Sequence, residues 1–386
     1  MAVAAACMLL PASASAARLW TGAAPTTEPM TAQRASAIDA FVARSLAEAG
    51  GNPPGLWLGI WDPRHGRHVA AYGQAVVSGA AARVADHGRM GSITKTFTAT
   101  GILRQVDAGR LRLGDTIGEV LPGLARRHPA VGPITVRELL GMRSGIPDYA
   151  NTGLVLRRVA RHPRRVWTAA EIIDLTLRKE PLTARGAFGY STTNFLILGQ
   201  LLARLTGEPI DRAVTDVARA AGLRRTALTP PADNAMPRPY SHGYIDRPGV
   251  RELAGLGVRV RRGDVTDWSG SWAGSGGAMF TTIDELGRWA ATGFGSAQLR
   301  PATVRRRRSG PEIAGLGVYG LGLIDFGRGW VGHSGQVLGW EADAYYNTRT
   351  GAVAVTIVNE MSSIAVGRAA IAHALPGLAF VAPAAR

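Results

Sequence analysis

A serine and a lysine stand three residues apart in the segment RMGSITK (89–95), where a helical pattern begins. Residues three apart lie on one face of a helix, with about 5–6 Å between their Cβ atoms. A serine hydroxyl becomes a strong nucleophile only when a neighbouring base takes its proton. Lysine can be that base if burial and nearby cations lower its pKa from about 10.4 towards neutrality. The pair predicts nucleophilic attack by Ser92, with Lys95 as proton acceptor.

The use of basic residues supports this role for Lys95. The chain has 44 lysines and arginines, and only Lys95 and Lys179 are lysines. Arginine remains protonated in proteins and cannot accept the serine proton. A Ser-x-x-Lys spacing arises by chance in about one such chain in ten, so the motif needs its context. Lys179 stands beside Glu180 and is expected at the surface.

Two later segments contain further candidates. Tyr190 in FGYSTTNF (188–195) lies in a polar turn before a helical pattern, where a tyrosine can relay a proton to a leaving group. His333 in GHSGQ (332–336) lies on a late strand, where it adds positive charge or a hydrogen bond beside the nucleophile. Either residue alone is more typical of a structural role. The other seven histidines lack carboxylate or cysteine companions, so we predict neither a metal site nor a cofactor.

The periodicity along the chain predicts how these residues are positioned. A helical pattern covers residues 33–49, and two strand patterns follow at 56–61 and 68–77. From about residue 91 to 289 the chain is mostly helix and loop, with helices predicted at 136–142, 169–177, 193–205 and 283–292. Strand patterns return at 317–326, 330–333, 340–347 and 352–358.

This order predicts an α+β fold. An antiparallel sheet built from both ends of the chain is flanked by helices, and a mostly helical lobe is inserted between its strands. We expect one catalytic domain over residues 30–380. Its α/β lobe covers about 30–90 and 290–380, and its helical lobe covers about 91–289, with a pocket at the seam.

The first sixteen residues, MAVAAACMLLPASASA, predict a signal peptide and therefore a secreted protein. The segment is apolar and ends in ASA (14–16), although no basic residue precedes Arg18. The single cysteine, Cys7, lies within it, so a processed chain has neither disulfides nor a thiolate metal site. No apolar run reaches the roughly 18 residues of a spanning helix.

The net charge of +16 comes from scattered arginines, with one run at residues 305–308. No zinc finger, RNP-type motif or basic-aromatic ribbon accompanies that charge, so we predict no nucleic-acid partner. An anionic cell wall is a compatible partner for such a surface.

The three motifs, in this order, resemble those of serine β-lactamases and penicillin-binding D,D-peptidases. The resemblance is to the branch with class C β-lactamases, D,D-carboxypeptidases, esterases and D-aminopeptidases. It extends over residues 36–360 and includes ITVRELLGMRSGIPDY (134–149), SWAGSGGAMFTTIDELGRW (271–289) and YGLGL (319–323). It implies a β-lactamase/transpeptidase-like fold.

The resemblance also implies a role for each site residue. Ser92 forms an acyl-enzyme, Lys95 accepts its proton, and Tyr190 passes the proton to the departing amine. His333 takes the position of the lysine in the Lys-Thr-Gly motif of β-lactamases. The backbone N–H groups of Ser92 and Gln336 form the oxyanion hole. The implied substrate-binding residues are Thr192, Trp272, Ser334, Gly335 and Gln336.

Two departures from the family pattern concern substrate binding. The usual Tyr-x-Asn motif has Thr192 in place of asparagine, and a hydroxyl cannot reproduce the donor and acceptor geometry of an amide. Family members that bind a free C-terminal carboxylate can have an arginine after the YGLGL strand and a threonine after His-x-Gly. This chain has Ile324 and Gln336 at those positions, and Arg328 is the candidate replacement.

The leading hypothesis is a secreted, monomeric serine hydrolase resembling a D-alanyl-D-alanine carboxypeptidase and acting on peptidoglycan-type peptides. Small peptides or β-lactams would be its partners. The departures keep three alternatives open within the same mechanism: an esterase, a D-amino-acid amidase and a peptide cyclase. Thr192 also motivates a protein that binds β-lactams or wall peptides with little turnover.

Overall fold

Eight antiparallel strands form the main sheet, and they come from both ends of the chain. The structure is a computed structural model that describes residues 25–50 and 53–375, so the predicted signal peptide and Cys7 lie outside the described residues. In chain order the strands are β1 (Gly55–Asp62), β2 (Gly66–Gly73), β3 (Gly88–Arg89), β4 (Ala227–Leu228), β5 (Tyr244–Ile245), β6 (Gly263–Asp264), β7 (Met279–Thr281), β8 (Glu312–Ile313), β9 (Gly317–Tyr319), β10 (Ile324–Gly327), β11 (Trp330–Val337), β12 (Trp340–Asn347), β13 (Val353–Val358) and β14 (Glu360–Met361).

The main sheet has the order β2-β1-β13-β12-β11-β10-β9-β8. Two three-stranded sheets, β14-β5-β6 and β3-β7-β4, lie outside it. The helices in chain order are α1 (Ala32–Glu48), α2 (Thr94–Asp107), α3 (Ile117–Val120), α4 (Pro122–Arg127), α5 (Val136–Leu140), α6 (Leu156–Arg161), α7 (Ala169–Lys179), α8 (Thr192–Thr206), α9 (Ile210–Ala220), α10 (Arg247–Gly255), α11 (Gly274–Gly277), α12 (Ile283–Ala291), α13 (Pro301–Arg307) and α14 (Ile364–Ala374). The predicted α+β class, with helices inserted between strands of one antiparallel sheet, is confirmed.

The central strands β1, β12 and β13 are buried on both faces of the main sheet, which explains why β1 is apolar on both faces up to its last residue, Asp62. Successive side chains of a strand point to opposite faces. One face of β1 packs against α1 and α14, through Leu56, Leu58 and Ile60. The opposite face of β1 carries Trp57 and Trp61, which join the larger core shared with the inserted helices.

The predicted strand at 317–326 is instead two strands, β9 and β10, joined by a tight turn. Gly322 in this turn has φ +66°, a left-handed conformation that favours glycine. A Cβ there would lie 2.4 Å from the Cβ of Ala99 in α2. Its N–H donates to the carbonyl of Leu140 at 3.0 Å. The break in the strand therefore lets this turn contact both α2 and the end of α5.

No helix in the described part of the chain has the length and apolar character needed to cross a bilayer.

Candidate active site

Ser92 and Lys95 face one another at the start of α2. Ser92 lies in a single 3₁₀ turn, Gly91–Ile93, that leads directly into the helix. Nζ of Lys95 is hydrogen-bonded to Oγ of Ser92 at 2.9 Å. The same Nζ donates to the carbonyl oxygen of Gly276 at 2.8 Å. The spacing of three residues thus places an amine within proton-transfer distance of the hydroxyl.

Threonine side chains allow α2 to be buried despite its polar sequence. Oγ1 of Thr96 donates to the carbonyl of Ile93 at 2.7 Å, and Oγ1 of Thr98 donates to that of Ser275 at 2.8 Å. The second bond ties α2 to α11. A Cβ on Gly276 in α11 would lie 2.6 Å from Cγ2 of Thr192, so this position favours glycine and brings its carbonyl to the lysine.

Burial controls the protonation of Lys95. The side chain is fully buried, and this desolvation lowers its pKa to about 7. The charge of Asp148 opposes the shift by favouring the ammonium form. A substantial fraction of Lys95 is therefore a neutral amine near pH 7. Lys179, by contrast, is exposed at the end of α7, as expected.

Asp148 is a site residue to which the sequence analysis gave no role. It is buried, and its Oδ1 accepts the backbone N–H groups of Thr192 at 3.1 Å and Ala150 at 3.2 Å. Burial raises its pKa, while Lys95 and these donors lower it. The Thr192 hydroxyl also hydrogen-bonds this carboxyl. The aspartate within the segment ITVRELLGMRSGIPDY (134–149) was the available signal.

Tyr190 covers the amine from the cleft side. Its ring centroid lies 5.0 Å from Nζ of Lys95, and Phe195 is a second aromatic neighbour at 5.8 Å. The Tyr190 ring is 6.4 Å from that of His333 and packs edge-on against Tyr319 at 6.1 Å. The structure thus brings Ser92, Lys95, Tyr190 and His333 together.

His333 is neutral, so it does not supply the positive charge that the sequence allowed. The ring is buried, and desolvation followed by the charge of Lys95 lowers its pKa to about 3. Nδ1 donates to the carbonyl of Ser334 at 2.5 Å. Nε2 is then the acceptor for the hydroxyl of Tyr319 at 3.3 Å. Tyr319, from the YGLGL segment, is a second residue without an assigned role in the sequence analysis.

Glycines permit β11 to lie directly beside the 3₁₀ turn Gly91–Ile93, here called the nucleophile turn. The pairing of β10 with β11 stops at Gly332, which leaves the following residues of β11 unpaired on that side. A Cβ on Gly335 would lie 2.0 Å from the carbonyl oxygen of Met90 and 2.9 Å from the N of Ser92. A Cβ on Gly91, which has φ +52°, would lie 2.6 Å from the N of Gln336. The backbones at Ser92 and Gln336 are therefore adjacent, as an oxyanion hole requires.

These residues border a cleft of about 520 Å³, a size suited to a small peptide or amide. Trp272 packs edge-on against Tyr149, whose hydroxyl donates to the Trp272 carbonyl at 2.8 Å. Lys95 lies behind Ser92, and the other sequence-predicted residues line the cleft, namely Ser92, Tyr190, Thr192, Trp272, His333, Ser334, Gly335 and Gln336.

Arg328 is not part of this cleft. It lines a separate cavity together with Arg34, Asp62 and His65, and so provides no substitute for a carboxylate-binding arginine. In the described residues, no group of three or more His, Cys, Asp or Glu side chains is arranged to hold a metal ion.

The sequence profile of the β-lactamase family matches residues 38–378. Penicillin-binding protein 4 of Amycolatopsis lactamdurans is 27% identical over 252 residues, which cover 62% of this chain and 61% of that protein. The D-alanyl-D-alanine-carboxypeptidase/endopeptidase AmpH of Escherichia coli is 27% identical over 147 residues, covering 38% and 37%. A D-stereospecific amidohydrolase structure from Streptomyces sp. superposes with a TM-score of 0.74 at 27% identity, over 88% of this chain and 99% of that one. The chain belongs to the β-lactamase family of serine hydrolases.

Proposed function

We propose that the protein is a secreted serine hydrolase that cleaves amide bonds formed by D-amino acids, through an acyl-enzyme on Ser92. One observation carries the mechanism: a fully buried amine, with its pKa lowered to about 7, lies 2.9 Å from the Ser92 hydroxyl. Such an amine can accept the serine proton at neutral pH.

In the proposed acylation, Oγ of Ser92 bonds to the substrate carbonyl carbon while its proton moves to Nζ of Lys95. The backbone N–H groups of Ser92 and Gln336 stabilise the resulting oxyanion. The C–N bond then breaks, and the amine leaves after receiving a proton through Tyr190. In deacylation, water attacks the acyl carbon in place of the amine. A proton returns to Oγ of Ser92 as its bond to the acyl group breaks, and the carboxylic acid product is released.

The amide substrate and its D configuration are supported by the likeness to the D-stereospecific amidohydrolase, which extends over 99% of that chain. A second candidate is a D-alanyl-D-alanine carboxypeptidase, because AmpH carries that activity in its name. The two candidates share the acyl-enzyme and differ in the group that leaves. A monomer and an extracytoplasmic location are parts of the proposal that rest on the sequence.

Intact-mass analysis during turnover of N-acetyl-D-alanyl-D-alanine carboxamide tests the mechanism. We expect a transient N-acetyl-D-alanyl adduct on the wild type and none on Ser92→Ala. The all-L peptide amide should react at least about tenfold more slowly, since one misplaced substituent costs a few kcal/mol. Hydrolysis of a p-nitrophenyl ester without hydrolysis of the amide would indicate an esterase. An adduct that forms and persists would indicate a binding protein. An adduct on Ser92→Ala would refute the nucleophile.

A further inference from the structure

Gln336 stands at the junction of the nucleophile turn and the cleft. Its backbone packs against Gly91, and its exposed side chain lines the cleft beside Ser92. A group one residue beyond the scissile carbonyl lies only about 3.8 Å further along the substrate chain. The terminal carboxylate of a leaving D-alanine must therefore bind close to Ser92. Strand β11, which carries Gln336, lines this part of the cleft.

The side-chain amide of Gln336 is fully engaged by two carboxylates. Its Nε2 donates to Oε1 of Glu341 at 2.8 Å and to Oε2 of Glu252 at 3.3 Å. A glutamine amide has two N–H donors, so neither remains for a substrate. What this side chain can offer to the cleft is the acceptor Oε1, which cannot donate to a substrate carboxylate.

Both carboxylates are held in place by residues 362–364, at the connection between β14 and α14. Glu341 is only 6% exposed, and its Oε2 accepts the backbone N–H groups of Ser363 at 2.9 Å and Ile364 at 2.7 Å. Glu252, which is exposed, accepts the hydroxyl of Ser362 at 2.7 Å. Neither carboxylate can turn away without losing these bonds.

The described residues that line the cleft include no free cation that could pair with a substrate carboxylate. Among the described residues that line the cleft, Arg368 is the one arginine or lysine. Its guanidinium makes two bonds to the buried Asp343, at 2.7 and 3.2 Å, and a longer one to Ser334. Ile324 provides no charge, and Asp148 adds a third carboxylate to the lining.

We propose that Gln336, held by Glu341 and Glu252, determines specificity by excluding a free carboxylate from the leaving-group side of the cleft. The substrates are then those whose leaving group is uncharged at its far end, such as carboxamides. This inference rests on the proposed acyl-enzyme mechanism and selects the amidase over the carboxypeptidase. Like charges placed together at a binding surface disfavour the wrong partner. We expect a free carboxylate to lower kcat/KM about 100-fold, which corresponds to about 2.8 kcal/mol.

The test compares N-acetyl-D-alanyl-D-alanine with its C-terminal carboxamide. Both form the same N-acetyl-D-alanyl enzyme, so they differ only in acylation. We expect the wild type to prefer the carboxamide by about 100-fold in kcat/KM. The ratio of acid to amide hydrolysis should rise about tenfold in Glu252→Gln, where the carboxylate is exposed and its loss leaves the core intact. The rise should be smaller at pH 7 in Glu341→Gln, because burial raises the pKa of Glu341 to about 7 and the group is then only partly charged. Glu312→Gln, an exposed carboxylate in β8, is the matched control and should leave the ratio unchanged.

A wild type that hydrolyses the free acid as well as the carboxamide would overturn the inference while leaving the acyl-enzyme intact. An unchanged ratio in both Glu252→Gln and Glu341→Gln would overturn it as well. Absence of an adduct on Ser92 with either peptide would instead count against the proposed function.

Discussion

Replacement of Lys95 by arginine separates the positive charge of this side chain from its capacity to accept a proton. Nζ of Lys95 is bonded to Ser92 and to the carbonyl of Gly276, and a guanidinium can still donate to both oxygens. It cannot lose a proton at accessible pH. If Lys95 is the base, Lys95→Arg should reduce acylation by about 10²–10⁴-fold, the usual contribution of a positioned general base.

The wild type should show the titration of the amine directly. With the Lys95 pKa at about 7, roughly one tenth of the molecules hold a neutral amine at pH 6 and roughly nine tenths at pH 8. The acylation rate should therefore rise about tenfold between these two pH values and level off above pH 8. The rate rises with pH because only the neutral amine accepts the proton, and the neutral amine predominates above the pKa.

Quenched-flow mixing followed by intact-mass analysis measures the acylation rate without a pH-sensitive chromophore. The wild type, Lys95→Arg and Lys179→Arg are compared from pH 5 to 9 with one neutral D-alanyl ester. Lys179 is the other lysine of the chain and is exposed, so its variant should match the wild type. Retention of the wild-type rate by Lys95→Arg, or a rate independent of pH from 5 to 8, would refute the reasoning.

The same geometry leads to three further expectations. Asp148→Asn removes a charge that favours the ammonium form, so the acid limb of the acylation profile should move to lower pH; a shift to higher pH would contradict this. Lys95→Met should stabilise the fold in urea titrations at pH 7. The fall of the lysine pKa from 10.5 to about 7 corresponds to about 5 kcal/mol, and this advantage should shrink as pH rises to 10.5 because the unfolded lysine then loses its proton too. Gly335→Ala, whose Cβ would meet the carbonyl of Met90 at 2.0 Å, should lose about 10²-fold or more in acylation, whereas Gly114→Ala, with open space around it, should be silent.

Sequence reasoning reached those parts of the site that depend on local spacing. Ser92 and Lys95 are three residues apart on one helix face, and that spacing alone predicts their contact. The scarcity of lysine identified Lys95 as the base candidate. The alternation of strand and helix patterns was sufficient for the α+β class, because periods of 2 and 3.6 residues are properties of the chain itself.

The protonation states were decided by tertiary burial. Lys95 has a pKa of about 7 because the first ten residues of α2 are buried, and the sequence contains no signal for the depth of that burial. His333 could be charged or neutral from its sequence alone. Its burial, and then the charge of Lys95, lower its pKa to about 3 and keep the imidazole neutral, although the hydrogen bond to the Ser334 carbonyl favours the protonated form.

The proposed specificity likewise depends on residues that are distant in sequence. Glu252 reaches Gln336 across 84 positions, and no periodicity connects them. The sequence was therefore sufficient for the fold class and for the contact between Ser92 and Lys95, because both follow from neighbours along the chain. The charge state of the base and the acidic wall of the cleft came only from tertiary packing, because desolvation and Coulomb interactions depend on distance in space.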